Sequence, residues 1–146
     1  LDRLIKNEAE NGKPLLGICL GMQLLFNKSY EFGEYEGLGL IKGNIVPMAG
    51  RIPEKLKIPH IGWNALKIKK KISAFSEIKD GDCVYFVHSF YADDCEESVA
   101  ATTEYGIEIT AAAANGNIVG CQFHPEKSGE TGLSILRALC GTEGAK

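Results

Sequence analysis

The chain has 146 residues, of which 45% are apolar and 24% are charged, and its formal net charge is −3. This length fits one globular domain over residues 1–146, and the apolar content excludes a disordered chain. The slightly acidic balance argues against a nucleic-acid or acidic-membrane partner, and no apolar run approaches the roughly 18 residues needed to cross a bilayer.

The first part of the chain alternates helix and strand patterns. Residues 1–11 predict a helix that stops at Gly12, and the continuous apolar run 14–18 predicts a buried strand. Residues 20–26, which follow Cys19, are helix-prone. This order predicts an α/β fold with a parallel sheet.

Strand patterns dominate the rest of the chain. A loop is expected at 30–43, which is rich in glycine and glutamate, and the β-rich segment 83–88 predicts a central strand because it is nearly all apolar. Residues 115–117 carry a hairpin turn signal. The chain closes with a predicted amphipathic helix over 129–140, ended by Gly141. Further strand patterns lie within 44–49, 58–68, 98–103, 107–114 and 118–123.

The five cysteines are odd in number and include no CxxC pair. This argues against a disulfide framework and a zinc site, and free thiols suit a reducing, cytoplasmic compartment; the N-terminal stretch also lacks the apolar core of a signal peptide. Cys83, Cys121 and Cys140 lie in apolar runs and are predicted to be buried hydrophobes. The acidic neighbours of Cys95 are predicted to disfavour its thiolate.

Cys19 stands in the block Gly17-Ile18-Cys19-Leu20-Gly21, the thiol version of the GxSxG nucleophile elbow. Glycine is expected at both flanks because a Cβ there would crowd the strained turn. The helix that begins at Leu20 is predicted to lower the thiol pKa, and the Leu20 N–H is placed to stabilise an oxyanion. The alternative is a chance pair of glycines in a glycine-rich chain.

Of the three histidines, only His124 lies in a constellation, because Glu126 follows it by two positions. Extended backbone, favoured here by Pro125, projects both side chains to the same side. A carboxylate that orients an imidazole, together with Cys19, makes a triad for thiol acyl transfer. The alternative is a surface His–Glu pair at the end of a strand.

These residues resemble the triad-type class I glutamine amidotransferases, in which a cysteine and a His-Pro-Glu motif hydrolyse glutamine. Three blocks resemble, within that family, the glutaminase subunits of imidazole glycerol phosphate synthases of histidine biosynthesis: PHIGWN at 59–64, YFVHSF at 85–90 and QFHPEKS at 122–128. The resemblance implies a three-layer, flavodoxin-like α/β fold with a central mixed, mainly parallel sheet plus antiparallel strands.

The resemblance also implies a role for each member of the triad. Cys19 would attack the carboxamide of L-glutamine to form a glutamyl thioester. His124 would protonate the leaving ammonia and then activate water against the thioester, and Glu126 would orient His124.

Three more positions would hold the substrate by the same resemblance: Gln23, Ser89 and Phe90. The alternative for Gln23 is a residue without a binding role on a helix face. For Ser89 and Phe90 the alternative is a buried strand end, and for Phe90 it explains the sequence nearly as well as substrate binding does.

Trp63, Asn64 and Lys127 would face a (β/α)8-barrel cyclase subunit in a heterodimer. The barrel would use the ammonia to make imidazole glycerol phosphate and aminoimidazole carboxamide ribotide. A single Trp in a Gly-Trp-Asn turn could instead plug a local core. No metal, flavin or nucleotide motif is present in the sequence, so no cofactor is expected.

The chain departs from the family pattern at its start. Family members open with further strands and a Pro-Gly-(Val)-Gly loop that would supply a second oxyanion donor, whereas this sequence begins in the helix before the elbow strand. We therefore expect a sheet that lacks its first strands and exposes a parallel edge. Either the chain is a fragment or another chain supplies the missing part.

Other functions stay open at this point. The chain could be the glutaminase of another class I amidotransferase, of the anthranilate or pyridoxal phosphate synthase type, although PHIGWN and HPEKS argue against both. It could be a non-catalytic partner subunit that keeps the fold. A cysteine hydrolase unrelated to glutamine is disfavoured by Gln23 and the His-Ser-Phe segment.

Overall fold

The computed structural model describes residues 1–144, and the side chains of residues 1–140. Its α-helices are α1 (Asp2–Glu10), α2 (Leu20–Leu24) and α3 (Gly129–Gly144), with 3₁₀ turns at Ser73–Phe75, Glu96–Ser98 and Pro125–Lys127. The predicted helices are confirmed in place, but α3 continues past Gly141. None of the helices in the described part of the chain is long and apolar enough to cross a membrane.

Eleven strands accompany these helices. They are β1 (Leu15–Ile18), β2 (Lys28–Ser29), β3 (Tyr35–Glu36), β4 (Asn44–Pro47), β5 (His60–Ala65), β6 (Lys67–Ile68), β7 (Cys83–His88), β8 (Phe90–Asp93), β9 (Val99–Glu104), β10 (Glu108–Asn115) and β11 (Ile118–Cys121).

The strands form three sheets, and the largest has the order β1-β11-β10-β9-β6. A second has the order β3-β2-β4-β8, and β5 pairs with β7 in a third. The mixed sheet is confirmed, but its mainly parallel character is not. Among the described strands only the β1–β11 and β2–β4 pairs are parallel. The reason is local, because β9, β10 and β11 follow one another through short turns, which join antiparallel strands.

The predicted hairpin turn joins β10 to β11. Asn115 pairs with Ile118, so the loop is Gly116-Asn117, and Gly116 has a φ of +59°. Left-handed backbone at this position is the conformation that glycine adopts without a steric penalty. The turn therefore fixes the register that brings β11 alongside β1.

Helices cover both faces of the large sheet, which confirms the predicted three-layer α/β arrangement. Ala112 packs with Ile135 of α3 in one core cluster, whereas its neighbour Ala113 packs with Met22 of α2 in the other. Successive residues of one strand point to opposite faces, so the alternation places the sheet between the two clusters. Strand β1 is the outermost strand of this sheet among the described residues, and its neighbour β11 runs parallel to it.

Strand β7 differs from its predicted central position. It pairs with β5 alone, and Val84 and Phe86 pack in the same cluster as Ala112. An apolar run can be buried by lying against a sheet as well as inside one, and the sequence pattern is the same in both cases.

The cysteines outside the elbow divide into two pairs. Cys95 and Cys121 are buried, but Cys83 and Cys140 are exposed, so the prediction of burial is wrong for those two. Burial raises the pKa of Cys95, and together with the smaller contributions of the Glu96, Asp93 and Asp94 carboxylates it brings the pKa to about 11. The predicted penalty on the Cys95 thiolate is thus confirmed, with desolvation as its larger cause.

Candidate active site

The segments that carry the candidate nucleophile and the candidate base lie side by side because β1 and β11 are parallel neighbours. Ile18 pairs with Cys121, so Cys19 and Gln122 leave the sheet side by side at the carboxyl ends of the two strands. The Cys19 N–H donates to the Cys121 carbonyl at 2.7 Å, which extends the ladder by one bond. Residues that follow β11 are thereby held next to the tip of the elbow.

The backbone at Cys19 is strained, as an elbow requires. Its φ of +53° and ψ of −109° lie outside the regions that residues with a Cβ normally adopt. A Cβ on Gly17 would lie 2.6 Å from the Gly21 carbonyl oxygen, so only glycine fits at position 17. A Cβ on Gly21 would meet nothing within 4 Å, and the predicted crowding there is wrong. The close approach in fact involves the backbone of Gly21.

The thiol of Cys19 is half-buried and lies in a polar setting. Its Sγ is 3.8 Å from the Val87 carbonyl oxygen and 3.8 Å from Nε2 of Gln122. Burial raises the thiol pKa, and the Leu20 N–H and the Glu126 carboxylate act on it in opposite directions, the first lowering it and the second raising it. The predicted lowered pKa is therefore wrong. Loss of solvation outweighs the contribution of the Leu20 amide.

His124 and Glu126 form a hydrogen-bonded pair, and the Glu126 carboxylate is near enough to Cys19 to raise its thiol pKa. Nδ1 of His124 lies 2.7 Å from Oε1 of Glu126, and their side chains are 20% and 44% exposed. His124 itself is extended, but Pro125 starts a 3₁₀ turn, and this turn brings the carboxylate back to the ring. In the described structure the hydrogen bonds of the Cys19 thiol go to Val87 and Gln122 rather than to His124.

The backbone around His124 is clamped to strand β7. The His124 N–H donates to the Tyr85 carbonyl at 3.0 Å, and Oγ of Ser128 accepts from the Tyr85 N–H at 3.0 Å while donating to the His124 carbonyl at 2.6 Å. Ser128 is buried. Its role was missed because the HPEKS block shows which residues are near His124 in sequence, not that β7 lies across them.

Gln23 and Phe90 are brought together, and Gln122 is a second residue that the sequence reasoning missed. Nε2 of Gln23 donates to the Phe90 carbonyl at 3.4 Å and to Oε1 of Gln122 at 3.2 Å. Gln122 is fully buried and lies between Gln23 and Cys19. The available signal was an amide side chain within the apolar run 118–123, two positions before His124. Ser89 lies between β7 and β8, where its carbonyl accepts from the Met48 N–H at 3.0 Å.

The predicted interface residues lie close to this site. Trp63 is 56% exposed, and its ring meets that of Tyr85 edge-on with 6.0 Å between the ring centroids. This exposure excludes the alternative in which Trp63 fills a local core. Lys127 is exposed in the 3₁₀ turn. The Asn64 side chain is engaged within the chain, since its Nδ2 donates to the Glu104 carbonyl at 2.9 Å and its Oδ1 faces a ring nitrogen of His60 at 3.1 Å.

His60 and His88 also form a constellation, contrary to the expectation that His124 alone does so. The two residues pair across β5 and β7, and Nδ1 of His60 lies 2.9 Å from Nε2 of His88. Both are buried. Within residues 1–144 no group of three or more His, Cys, Asp or Glu side chains is placed to hold a metal ion.

Comparison with protein families and curated proteins gives a consistent result. The family model "Glutamine amidotransferase class-I" matches residues 2–139. The chain is 58% identical over 134 residues to the imidazole glycerol phosphate synthase subunit HisH of Caldanaerobacter subterraneus, covering 91% of this chain and 64% of that protein. It is 55% identical to the HisH subunit of Geobacter metallireducens, covering 88% of this chain and 63% of that protein. The chain thus spans somewhat less than two thirds of the length of these relatives.

Solved structures with much lower sequence identity share the fold. A putative GMP synthase protein from Thermoplasma acidophilum matches with a TM-score of 0.65 and 19% identity, covering 97% of this chain and 63% of that one. A glutamine amidotransferase from Thermotoga maritima matches with a TM-score of 0.61 and 21% identity, covering 97% and 53%.

Proposed function

The chain belongs to the class I glutamine amidotransferase family, and on this premise we propose that it acts as the glutaminase part of an imidazole glycerol phosphate synthase. The reaction is the hydrolysis of L-glutamine to glutamate and ammonia. The observation that carries the proposal is the strained Cys19 at the carboxyl end of β1. The neighbouring strand β11 leads at the same end into the hydrogen-bonded His124–Glu126 pair. We infer that residues 1–146 act as one domain.

Cys19 is the nucleophile in this proposal, and His124 is its base. Because burial raises the pKa of Cys19, the resting group is a thiol, and its proton has to leave as Sγ attacks the carboxamide carbon. Glu126 occupies Nδ1 of His124, which leaves Nε2 to take that proton. The imidazolium then protonates the departing ammonia as the C–N bond breaks.

Hydrolysis of the glutamyl thioester uses the same groups in the opposite order. Nε2 of His124 removes a proton from water, the oxygen attacks the thioester, and glutamate leaves as Cys19 regains its proton. The Leu20 N–H, which lowers the pKa of the resting thiol, is placed to serve the oxyanion in both steps.

Gln23, Ser89 and Phe90 hold glutamine in this proposal. The two protons on Nε2 of Gln23 are used by Phe90 and Gln122, so its Oε1 is the group that can accept from a ligand without breaking those bonds. The amine of glutamine is a donor of the required kind.

The partner proposed is a (β/α)8-barrel cyclase that consumes the ammonia to form imidazole glycerol phosphate and aminoimidazole carboxamide ribotide. Trp63, Asn64 and Lys127 face it, and the exposed Trp63 beside the His124 turn supports this placement. Bulk water would convert ammonia to non-nucleophilic ammonium, so direct transfer favours an interface close to Cys19. The free thiols support a cytoplasmic setting.

The proposed nucleophile is tested by labelling with a diazo-ketone analogue of glutamine. We expect it to modify Cys19 alone, because recognition of the glutamine moiety directs the reaction. Iodoacetamide, which carries no such moiety, serves as the control and should label the exposed Cys83 and Cys140. Peptide mass spectrometry reads both. Analogue found on Cys83 or Cys140, with Cys19 unmodified, contradicts the assignment.

The partner surface is tested with Trp63→Ala. Removing a half-exposed Trp from the centre of an interface should weaken binding to a barrel cyclase by about tenfold or more in calorimetry. Tyr35→Ala is the matched control, because Tyr35 is a similarly exposed aromatic residue, 60% against 56%, on the separate strand β3. Equal affinities for both variants would remove Trp63 from the interface.

A further inference from the structure

A chain of close polar contacts starts at Asn64 on β5 and crosses to β8. Oδ1 of Asn64 lies 3.1 Å from Nε2 of His60, and Nδ1 of His60 lies 2.9 Å from Nε2 of His88. Nδ1 of His88 then lies 2.9 Å from the Phe90 carbonyl oxygen, two residues further along the chain. Each ring nitrogen thus has a polar atom within 3.1 Å.

The same carbonyl connects this chain to the candidate active site. The Phe90 oxygen also accepts from Nε2 of Gln23 at 3.4 Å, and Gln23 donates in turn to Gln122 at 3.2 Å. Nε2 of Gln122 reaches Sγ of Cys19 at 3.8 Å. The Phe90 carbonyl is therefore held from two directions, by an imidazole on one side and by the amide next to the thiol on the other.

The positions of the protons follow from what each atom can do. A carbonyl only accepts, so Nδ1 of His88 carries a proton. Burial lowers the pKa of both rings, that of His88 to about 4, so both are neutral at pH 7. Nε2 of His88 is then an acceptor, and the proton between the rings belongs to Nδ1 of His60. Both rings are then Nδ1–H tautomers. Nε2 of His60 carries no proton, so its 3.1 Å contact with Oδ1 of Asn64 joins two acceptors and is not a hydrogen bond.

Aromatic packing keeps His60 in place. Its ring stacks on those of Tyr105 and Phe86, with centroid distances of 4.0 Å and 5.0 Å and an interplanar angle of 22° in each case. The ring cannot swing away from His88 without opening this stack. His88 consequently has a fixed donor on one side and a fixed acceptor on the other.

We propose that His88, held by His60, is a positioning residue that fixes the Phe90 carbonyl and, through Gln23 and Gln122, sets where glutamine lies beside Cys19. This inference rests on the proposed function and adds to it two residues that touch neither the substrate nor the thiol. Without His88 the Phe90 carbonyl keeps only the long bond from Gln23, and the Gln23 amide loses its fixed acceptor.

The test measures how the diazo-ketone analogue labels Cys19 as a function of analogue concentration, in wild type, His88→Leu and His88→Asn. Leu removes both hydrogen bonds. Asn keeps a short amide donor for the Phe90 carbonyl but cannot reach His60. We expect the half-saturating concentration to rise about tenfold in His88→Leu and to stay within about threefold of wild type in His88→Asn. The maximal labelling rate should change less than the half-saturating concentration.

Ile109→Ala controls for general loss of stability, since Ile109 is fully buried in a core cluster that contains neither imidazole. It should leave the half-saturating concentration unchanged at a comparable cost in unfolding free energy. A His88→Leu variant that labels like wild type, or an Ile109→Ala variant with the same defect, overturns the positioning role alone. A wild type in which Cys19 is never labelled overturns the proposed function, and this inference with it.

A second measurement does not depend on any variant folding. Long-range ¹H–¹⁵N correlation spectra of the imidazole rings distinguish a protonated Nδ1 from a protonated Nε2. We expect Nδ1–H in both His60 and His88 near pH 7. A proton on Nε2 of His88 would overturn the inference, because His88 could then not donate to the Phe90 carbonyl.

Discussion

Two histidines of this molecule, His124 and His88, lie at nearly the same distance from their partner side chains but in opposite surroundings. His124 lies 2.7 Å from the Glu126 carboxylate with its side chain 20% exposed, whereas His88 lies 2.9 Å from a second imidazole and is 6% exposed. The first pair has an anion to balance a proton and access to solvent. The second has neither, and burial together with the His60 ring lowers the pKa of His88. Surroundings rather than distance thus separate the proposed proton carrier, His124, from the proposed support, His88.

The largest expected effect comes from removing the imidazole that is proposed to carry the proton. His124→Asn should lower kcat for glutamine hydrolysis by about 10³-fold, because Nε2 is lost while the amide can still bond to Glu126. His88→Asn is the matched change in the buried pair and should lower kcat by less than about threefold. Glutamate release measured in complex with the barrel partner gives both values. Similar losses in the two variants would remove the distinction between carrier and support.

Acid should destabilise the protein through the buried pair. The folded pKa of His88 is about 4 and the reference value is 6.5. As the pH falls through 6.5 the unfolded chain binds a proton that the folded chain does not. The free energy of unfolding therefore falls from pH 6.5 downward and levels off near pH 4, and it loses about 2 kcal/mol between pH 6.5 and pH 5. His60, whose pKa is also lowered by burial, acts in the same direction.

Urea unfolding at pH 7, 6 and 5 measures this dependence. His88→Asn carries no imidazole at position 88 and should show a smaller fall over the same range. A variant with the wild-type pH dependence would mean that the buried pair is not its source.

The two pairs also differ in how well the sequence predicts them. His124 and Glu126 are two positions apart, and the strand–turn–helix pattern around Cys19 is equally local, so both were predictable from neighbouring residues. His60 and His88 meet only through the register of β5 and β7. A separation of 28 positions gives no periodic signal, and no pattern within either segment shows that the other segment pairs with it.

Besides strand pairing, the burial of individual side chains could not be predicted from local sequence patterns. The thiol pKa of Cys19 depends on how β7 covers it, and the exposure of Cys83 and Cys140 depends on which element ends pack over them. Helix α3 and strand β7 were both predicted, but their placement against the sheet was not. The α/β class follows from local order, whereas the strand directions follow from the lengths of the connections.

The smallest expected effect concerns the backbone that supports the exposed pair. Ser128→Ala removes the hydroxyl that links the Tyr85 N–H to the His124 carbonyl, and it should lower the free energy of unfolding by about 1 kcal/mol and kcat by about threefold. Ser134→Ala is the control, since that hydroxyl bonds only to a carbonyl within α3 and should cost less than about 0.5 kcal/mol. If Ser128→Ala lowers stability without lowering kcat, the clamp supports the fold alone, and His124 is positioned by Glu126 and the Tyr85 carbonyl without it.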